Sequence, residues 1–450
     1  MIRLLILSAS IFALSGCATT ERALDVGNRA GLIMPDGFDY AQEIDGLREP
    51  EREWWAAFDS QPLGELVARA MAANQTLAQG VANVDASRAA LKVSNASLLP
   101  QASASLSASS DTQSGLDEVS SSGRLSASYQ LDLFGANAAS RRSALANVDA
   151  AVFGQRALEL TVQSDVATTY FNLLSSREQL SVARENLQTA ERIFEIVKVR
   201  YEAGTISGYD VSSQSAQLAN ARARIPQLEA QIAGLETSLA ILLGQVPQGY
   251  VAPDQDILAI DLPLAAPGLP SDLLLRRPDL MQLEAGLRAS DANIDTARAA
   301  FFPSIDLGAG LSGLLSSGGD ITGSLSSTIA ATIFSGGRLE GQLEGAQARR
   351  AGLIANYRQA VLSALRDVDV SLNGISASAA REEQLLIARR AAADALEAAE
   401  LRYRTGAGDL TSLLTAQQTY ADASNNFVLG RLDRLTAAIN LYVALGGGYT

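Results

Sequence analysis

Histidine is absent from the 450-residue chain, which excludes histidine-based catalytic triads, histidine general bases and histidine-ligated metals. The one cysteine, Cys17, allows neither an intrachain disulfide nor a cysteine-cluster metal site. The two lysines, Lys92 and Lys198, each precede valine, so neither is the lysine of a phosphate-binding P-loop. The formal net charge of −14 disfavours a nucleic-acid partner, because phosphate binding requires basic surface. The composition therefore argues against an enzyme, although the many carboxylates leave acid–base chemistry open.

The N-terminus has the features of a targeting signal. Arg3 precedes an apolar stretch at residues 4–14, which is too short to span a bilayer as a helix. The stretch leads into Leu-Ser-Gly-Cys, which resembles a bacterial lipobox with cleavage before Cys17 and acylation of that residue. We therefore predict a lipoprotein signal peptide at residues 1–16 and a covalent lipid on Cys17; an ordinary signal peptide with a chance cysteine is the alternative. Ala18, in place of aspartate, resembles a signal for sorting to the outer membrane.

Proline divides the rest of the chain into helical and irregular stretches. No proline lies between Pro100 and Pro226 and none follows Pro303, whereas five of the twelve lie within residues 247–270. Because proline breaks helices, the crowded stretch is predicted as a linker. Two proline-free stretches with helical periodicity are predicted as helices of about 100 Å each, at residues 136–202 and 338–404. Such lengths predict a long tube, with a solid coiled-coil rod as the alternative; Pro226 predicts a kink in the helix that contains it.

Two tandem units are visible in the sequence. Residues 77–100 align with 280–303, and the turn Tyr201–Gly204 corresponds to Tyr403–Gly406. We therefore divide the mature chain into an N-terminal lipidated extension, a first unit, a proline-rich linker and a second unit, at residues 17–62, 63–245, 246–270 and 271–450.

Each unit also contains two stretches in which apolar and polar residues alternate, the pattern of strands with one apolar and one polar face. These strands are predicted near residues 101–110, 122–134, 303–312 and 322–334. A GxGxxG match at Gly308–Gly313 lies within this alternation, so we dismiss it as a dinucleotide site. About ten residues is the length of a transmembrane β-strand, with a soluble hairpin as the alternative.

Four strands cannot close a membrane barrel. Two chains would supply eight strands, around a lumen that side chains fill, whereas three would supply twelve, around an open lumen. A conduit therefore favours a trimer.

A family resemblance rests on segments spread over the whole mature chain. They are the lipobox ending at Cys17, the Leu-Arg-Arg-Pro-Asp-Leu segment, the paired turns and the closing Leu-Tyr-Val-Ala-Leu-Gly-Gly-Gly-Tyr segment, at residues 14–17, 275–280, 201–204, 403–406 and 441–449. Together they resemble the outer membrane factor family, the TolC-like channels, and in particular its lipidated NodT-type efflux subgroup.

The resemblance implies an α+β membrane protein. Three chains would form a 12-stranded transmembrane β-barrel, four strands per chain, continuous with a long α-helical barrel in the periplasm. It would be a lipid-anchored outer membrane duct that passively conducts drugs or other small molecules out of the periplasm. The implied partners are a homotrimer, a periplasmic adaptor (membrane fusion) protein, an inner-membrane pump of the resistance-nodulation-division class and outer membrane lipid. No nucleic acid is expected, and no cofactor apart from the lipid on Cys17. We expect Trp54 and Trp55 in buried packing rather than in a membrane aromatic belt.

The resemblance also implies a gate at the periplasmic helical tip, which the two helix–helix turns would form. Gly204 and Gly406 suit turns that need a positive φ. The residues that match the family's closing rings of tyrosine and aspartate are Tyr201, Asp210, Tyr403 and Asp409. Many relatives carry an aspartate and a basic residue where this chain has Thr415 and Gln418, so these two positions depart from the usual gate. Simple helix capping or a solvated turn is the alternative for each tip residue.

The sequence leaves three other functions to consider. The exit duct of a type I protein secretion system is disfavoured by the lipobox and the Arg-Arg-Pro-Asp segment. A structural envelope lipoprotein that spans the periplasm as a rod would not need the alternating strands. An envelope hydrolase would need an acid pair with a specific sequence context, which the chain lacks.

Overall fold

The structure is a computed structural model that describes residues 32, 34–40, 52–110, 119–263, 265–268, 270–314 and 320–448. The first unit contains helices α1 to α4 and strands β1 and β2. In chain order these are α1 Gln61–Ala73, α2 Gln75–Ala96, β1 Gln101–Ser110, β2 Val119–Leu131, α3 Ala136–Glu202 and α4 Gly208–Leu242. The second unit repeats the order with α5 Leu273–Arg276, α6 Pro278–Ala299, β3 Ser304–Leu314, β4 Thr322–Ala330, α7 Arg338–Arg404 and α8 Leu410–Ala444.

The two longest helices confirm the bounds predicted from periodicity. Helices α3 and α7 are each 67 residues long and begin and end at the predicted residues. At 1.5 Å per residue each extends about 100 Å. Helix α4 is continuous through Pro226. In the described part of the chain, no helix is both long enough and apolar enough to cross a bilayer.

The strands form one antiparallel sheet in the order β1-β2-β3-β4. The predicted strands were too long at their helix-facing ends, because β2 ends at Leu131 and β4 at Ala330. After β2, the Asp132 carboxylate accepts hydrogen bonds from the backbone N–H groups of Asn137 and Ala138. These bonds cap α3, so the ladder stops although the apolar alternation in the sequence continues.

The main core lies where the ends of the two units meet. Trp54 is buried, stacks on Tyr442 with ring centroids 5.5 Å apart and donates its indole N–H to Gln163. Phe58 packs against Phe171 and Tyr442 in the same cluster. Residues 54–58, just before α1, therefore pack against α3 and α8, as expected for Trp54.

The linker is held by two arginines, one from each unit. Arg177 of α3 donates to the carbonyls of Ala252 and Pro253 and forms ion pairs with Glu236 and Asp254. Arg431 of α8 donates to the linker carbonyls of Ile257, Leu258 and Ile260 and pairs with Glu382 of α7. The proline-rich linker is thus bound to both units through its backbone.

The Arg-Arg-Pro-Asp segment has a structural explanation. Arg277 pairs with Asp279 at 2.7 Å and with Asp367 of α7 at 3.4 Å, and it donates to the carbonyl of Ala444 at the end of α8. Burial disfavours its charge, but the hydrogen bond and charge of Asp279, with those of Asp367, raise the Arg277 pKa above its usual value. This residue ties the start of the second unit to its last two helices.

Candidate functional site

Two helix–helix turns lie at the ends of α3 and α7 that are farthest along the chain from the strands. Gly204 and Gly406 occupy corresponding positions in them, with φ of +71° and +77°. The prediction that both turns need a left-handed residue is confirmed. The two turns and the adjoining ends of α3, α4, α7 and α8 are called the tip below.

Tyr403 lies inside the tip rather than on its surface. The residue is 2% exposed and packs in one cluster with Ile193 and Val197 of the first unit. The Arg200 guanidinium lies 4.6 Å from the ring centroid, and the tyrosine hydroxyl has no hydrogen-bond partner among the described residues. Tyr201, by contrast, is 50% exposed. A cation–π contact therefore joins the two units at the tip.

Asp210 and Asp409 both cap helices. Asp210 forms a capping box with Ser207, whose backbone N–H and hydroxyl each lie 2.9 Å from the carboxylate. Asp409 accepts from the backbone N–H and the hydroxyl of Ser412, both at 2.8 Å. These hydrogen bonds hold the pKa of Asp409 below its ordinary value. Within one chain, helix capping, the alternative to a gate role, explains the contacts of both carboxylates.

Thr415 and Gln418 lie on the first turns of α8. The Thr415 hydroxyl donates to the carbonyl of Thr411, one helical turn earlier. Gln418 accepts from the Gln217 side chain of α4 at 3.0 Å and donates to Asp422 at 2.9 Å. Gln418 therefore supplies a second, uncharged link between the two units near the tip.

The four-stranded sheet has two chemically different faces. The apolar face exposes Leu125, Leu311 and Leu325, the last with 90% of its surface accessible. The polar face carries serine ladders in which Ser103 meets Ser126, and Ser107 meets Ser122, with hydroxyl oxygens 2.8 Å apart. The predicted alternation is confirmed, and the sequence Gly308–Gly313 lies in β3.

Sequence reasoning missed the ionic cluster around Glu382. Its carboxylate binds Arg431 at 3.3 Å and Arg434 at 2.6 Å, and Glu382 and Arg431 are both buried. The partners lie on different helices, so no local pattern reveals them. Within the described residues, no group of acidic residues could hold a metal ion. Cys17, predicted to carry lipid, lies outside the described residues.

Comparisons with known proteins agree over nearly the whole chain. Residues 66–245 and 269–447 match the profile of the family described as outer membrane efflux protein. The chain is 34% identical to the pyoverdine export outer membrane protein OpmQ of Pseudomonas aeruginosa, over 98% of this chain and 96% of that protein. It is 29% identical to the probable outer membrane lipoprotein SilC of Salmonella typhimurium, over the full length of both. The solved structure of the outer-membrane channel OprN superposes with a TM-score of 0.83 at 26% identity, over 93% of this chain and 97% of that one.

Proposed function

Since the chain belongs to the outer membrane efflux protein family, whose members are non-enzymatic channels, we propose that it is the exit duct of a tripartite efflux pump. In this role it passively conducts drugs or other small molecules from the periplasm to the exterior. The observation that carries the proposal is a sheet with one exposed apolar face and one serine-rich face, joined to helices of 67 residues. Such a sheet suits a wall between lipid and water, and such helices suit a long conduit.

The proposed assembly is a homotrimer with a 12-stranded barrel. Strands β1 and β4 are the edges of the sheet within one chain. Exposed edges carry unpaired backbone groups, and hydrocarbon offers them no hydrogen-bond partner. Pairing β4 of one chain with β1 of the next removes the edges, and three copies leave an open lumen.

The proposed partners are a periplasmic adaptor protein and an inner-membrane pump, of the resistance-nodulation-division class. OpmQ is named as a pyoverdine export protein, and its similarity to the present chain supports an export role for this chain. Cys17 would carry the lipid, as the name of SilC suggests for that relative. The proposal assigns the transported compounds to the class of small molecules.

The proposed gate is the tip, with Tyr201, Asp210, Tyr403, Asp409, Thr415 and Gln418 as its candidate residues. Support comes from the two contacts that bind the units together there, Arg200 with Tyr403 and Gln217 with Gln418. Opening a trimeric tip requires neighbouring helix pairs to separate, and such links restrain that motion. Asp210 and Asp409 would act chiefly by fixing the starts of α4 and α8.

Deletion of the gene tests the function. Loss of an exit duct should raise susceptibility to compounds in a broad drug panel, and the intact gene should restore resistance. Complementation with Cys17→Ser separates the anchor from the duct, since the barrel itself would remain. Unchanged susceptibility across the panel would contradict the proposal.

Planar-bilayer recording tests the gate. Tyr403→Ala removes the ring under Arg200 and should raise single-channel conductance. Tyr209→Ala is the matched control, because Tyr209 lies in the same tip but is 78% exposed. Equal conductance of the wild type and Tyr403→Ala would remove Tyr403 from the gate.

A further inference from the structure

One arginine stands at mid-height on the polar face of the sheet. Arg124 of β2 lies directly opposite Ser105 of β1 and Ser312 of β3. It is exposed. The four strands contain two charged residues, Arg124 and Asp306. The polar face is otherwise built from small or uncharged residues.

Among the residues of the four strands, none places a counter-charge near Arg124 on this face. No described residue forms an ion pair or a hydrogen bond with its side chain. Asp306 shares the face but lies opposite Gln130, six residues along β2, which corresponds to about 20 Å. Asp306 instead accepts a hydrogen bond from Ser304. The guanidinium is therefore free to interact with solutes.

We propose that three copies of Arg124 form a cationic ring on the inner wall of the β-barrel, which concentrates small anions there. The inference rests on the proposed function, because the ring requires a closed trimer with its polar face inward. Within the strands, neighbouring chains add no counter-charge, since β1 and β4, which would meet at each seam, carry no charged residue. Each chain therefore contributes one unpaired positive charge at the same height.

Chemistry favours carboxylate-bearing, phosphate-bearing and halide anions as solutes. A guanidinium presents a planar fork of donors that matches carboxylate and phosphate oxygens. Low-dielectric walls focus the field of such a ring and raise the local concentration of counter-ions. The ring is distinctive in a chain whose net charge is −14. Anionic solutes would thus be favoured at mid-barrel although the protein as a whole repels them.

Thiol labelling of purified trimer in lipid nanodiscs measures the potential at this height. Ser105→Cys places a thiol directly opposite Arg124, and labelling of the parent protein is subtracted. The probes are anionic sulfonatoethyl methanethiosulfonate and its cationic trimethylammonium-ethyl counterpart. The ratio of anionic to cationic labelling rates should fall about tenfold when Arg124→Gln is added. Arg124→Lys should preserve it, and about 1 M salt should reduce it.

Ala104→Cys is the matched control, because it neighbours Ser105 on the same strand but lies on the apolar face. Lipid should protect it from both charged reagents. Rapid labelling of Ser105→Cys, with a ratio of anionic to cationic rates that Arg124→Gln does not change, would contradict the arginine ring. This result would not contradict the proposed channel. Labelling of Ala104→Cys but not of Ser105→Cys would instead contradict the proposed barrel.

A second comparison needs no change at Arg124. Gln101→Cys lies on the same face of β1, four residues from Ser105 and opposite Ser128. Anion preference should be greater at position 105 than at position 101. Equal ratios at the two positions would overturn the proposal.

Discussion

Arg431 holds the linker through buried contacts, so its loss should lower the stability of the fold. It joins Glu382 to three carbonyls of the linker, and both charged groups are buried. Arg431→Ala leaves these acceptors unsatisfied, so the free energy of unfolding should fall by about 3 kcal/mol. Thermal unfolding followed by circular dichroism measures the change, and limited proteolysis should cut the linker sooner.

Arg184→Ala is the control for this measurement. Arg184 also pairs with a glutamate on a neighbouring helix, Glu229, but both side chains are at least half exposed. Exposed pairs contribute at most about 1 kcal/mol. Equal destabilisation by the two substitutions would show that burial of the Arg431 cluster is unimportant.

Asp409 makes the start of α8 sensitive to acid. Its pKa is lowered from 3.8 because the ionised carboxylate accepts hydrogen bonds from Ser412. Its stabilising contribution is therefore present above pH 3.8 and is lost as the pH falls through the lowered pKa. Hydrogen exchange at residues 410–413, corrected for intrinsic rates, should accelerate over that interval. Asp409→Ala should exchange quickly at neutral pH and lose the pH dependence; a wild-type-like profile would contradict the capping role.

Among the connecting elements, the turn after α8 depends on Gly446. Its φ is +86°, and a Cβ there would lie 2.7 Å from the carbonyl oxygen of Arg276. Gly446→Ala should lower the free energy of unfolding by about 2 kcal/mol, because strain and overlap add. Gly352→Ala, inside α7 with nothing near the new methyl group, should stabilise by about 1 kcal/mol. Denaturant unfolding distinguishes the two; destabilisation by both would implicate a neighbouring chain instead.

The strand ends illustrate how elements compete for residues. Apolar residues continue past β4 to Ile333 and Phe334, which are 93% and 89% exposed. Alternation alone predicts strand there. The structure ends the ladder at Ala330, because its partner strand β3 begins at Ser304, directly after Pro303, which has no N–H to donate.

In the proposed membrane-embedded trimer, a newly introduced charge should be costly on the apolar face of the sheet and tolerated on the polar face. Leu325→Arg puts a cation on the apolar face and should cost about 2 kcal/mol per chain. Ser326→Arg, on the next residue, points to the polar face and should be tolerated. The amount of folded trimer in the outer membrane fraction measures the difference. Equal yields of the two variants would contradict a lipid-facing apolar surface.

The periodicity of the sequence was sufficient to predict most of the secondary structure of this molecule. The helices 136–202 and 338–404, the four strands and the two turn glycines followed from patterns of period 3.6 or 2 and from residue types at turns. Each pattern is set by residues close together in the chain, so it can be recognised before folding. The two tandem units were likewise predicted from repeated sequence segments alone.

Other features depend on residues far apart in the chain. Arg431 reaches Ile257 across 174 positions, and Arg200 covers Tyr403 from the other unit. Tyr403, a gate candidate by its resemblance to the family motif, is thus also buried at a contact between the two units of one chain. Long-range partners are selected by the packing of whole helices, which brings distant side chains together only once the tertiary fold has formed.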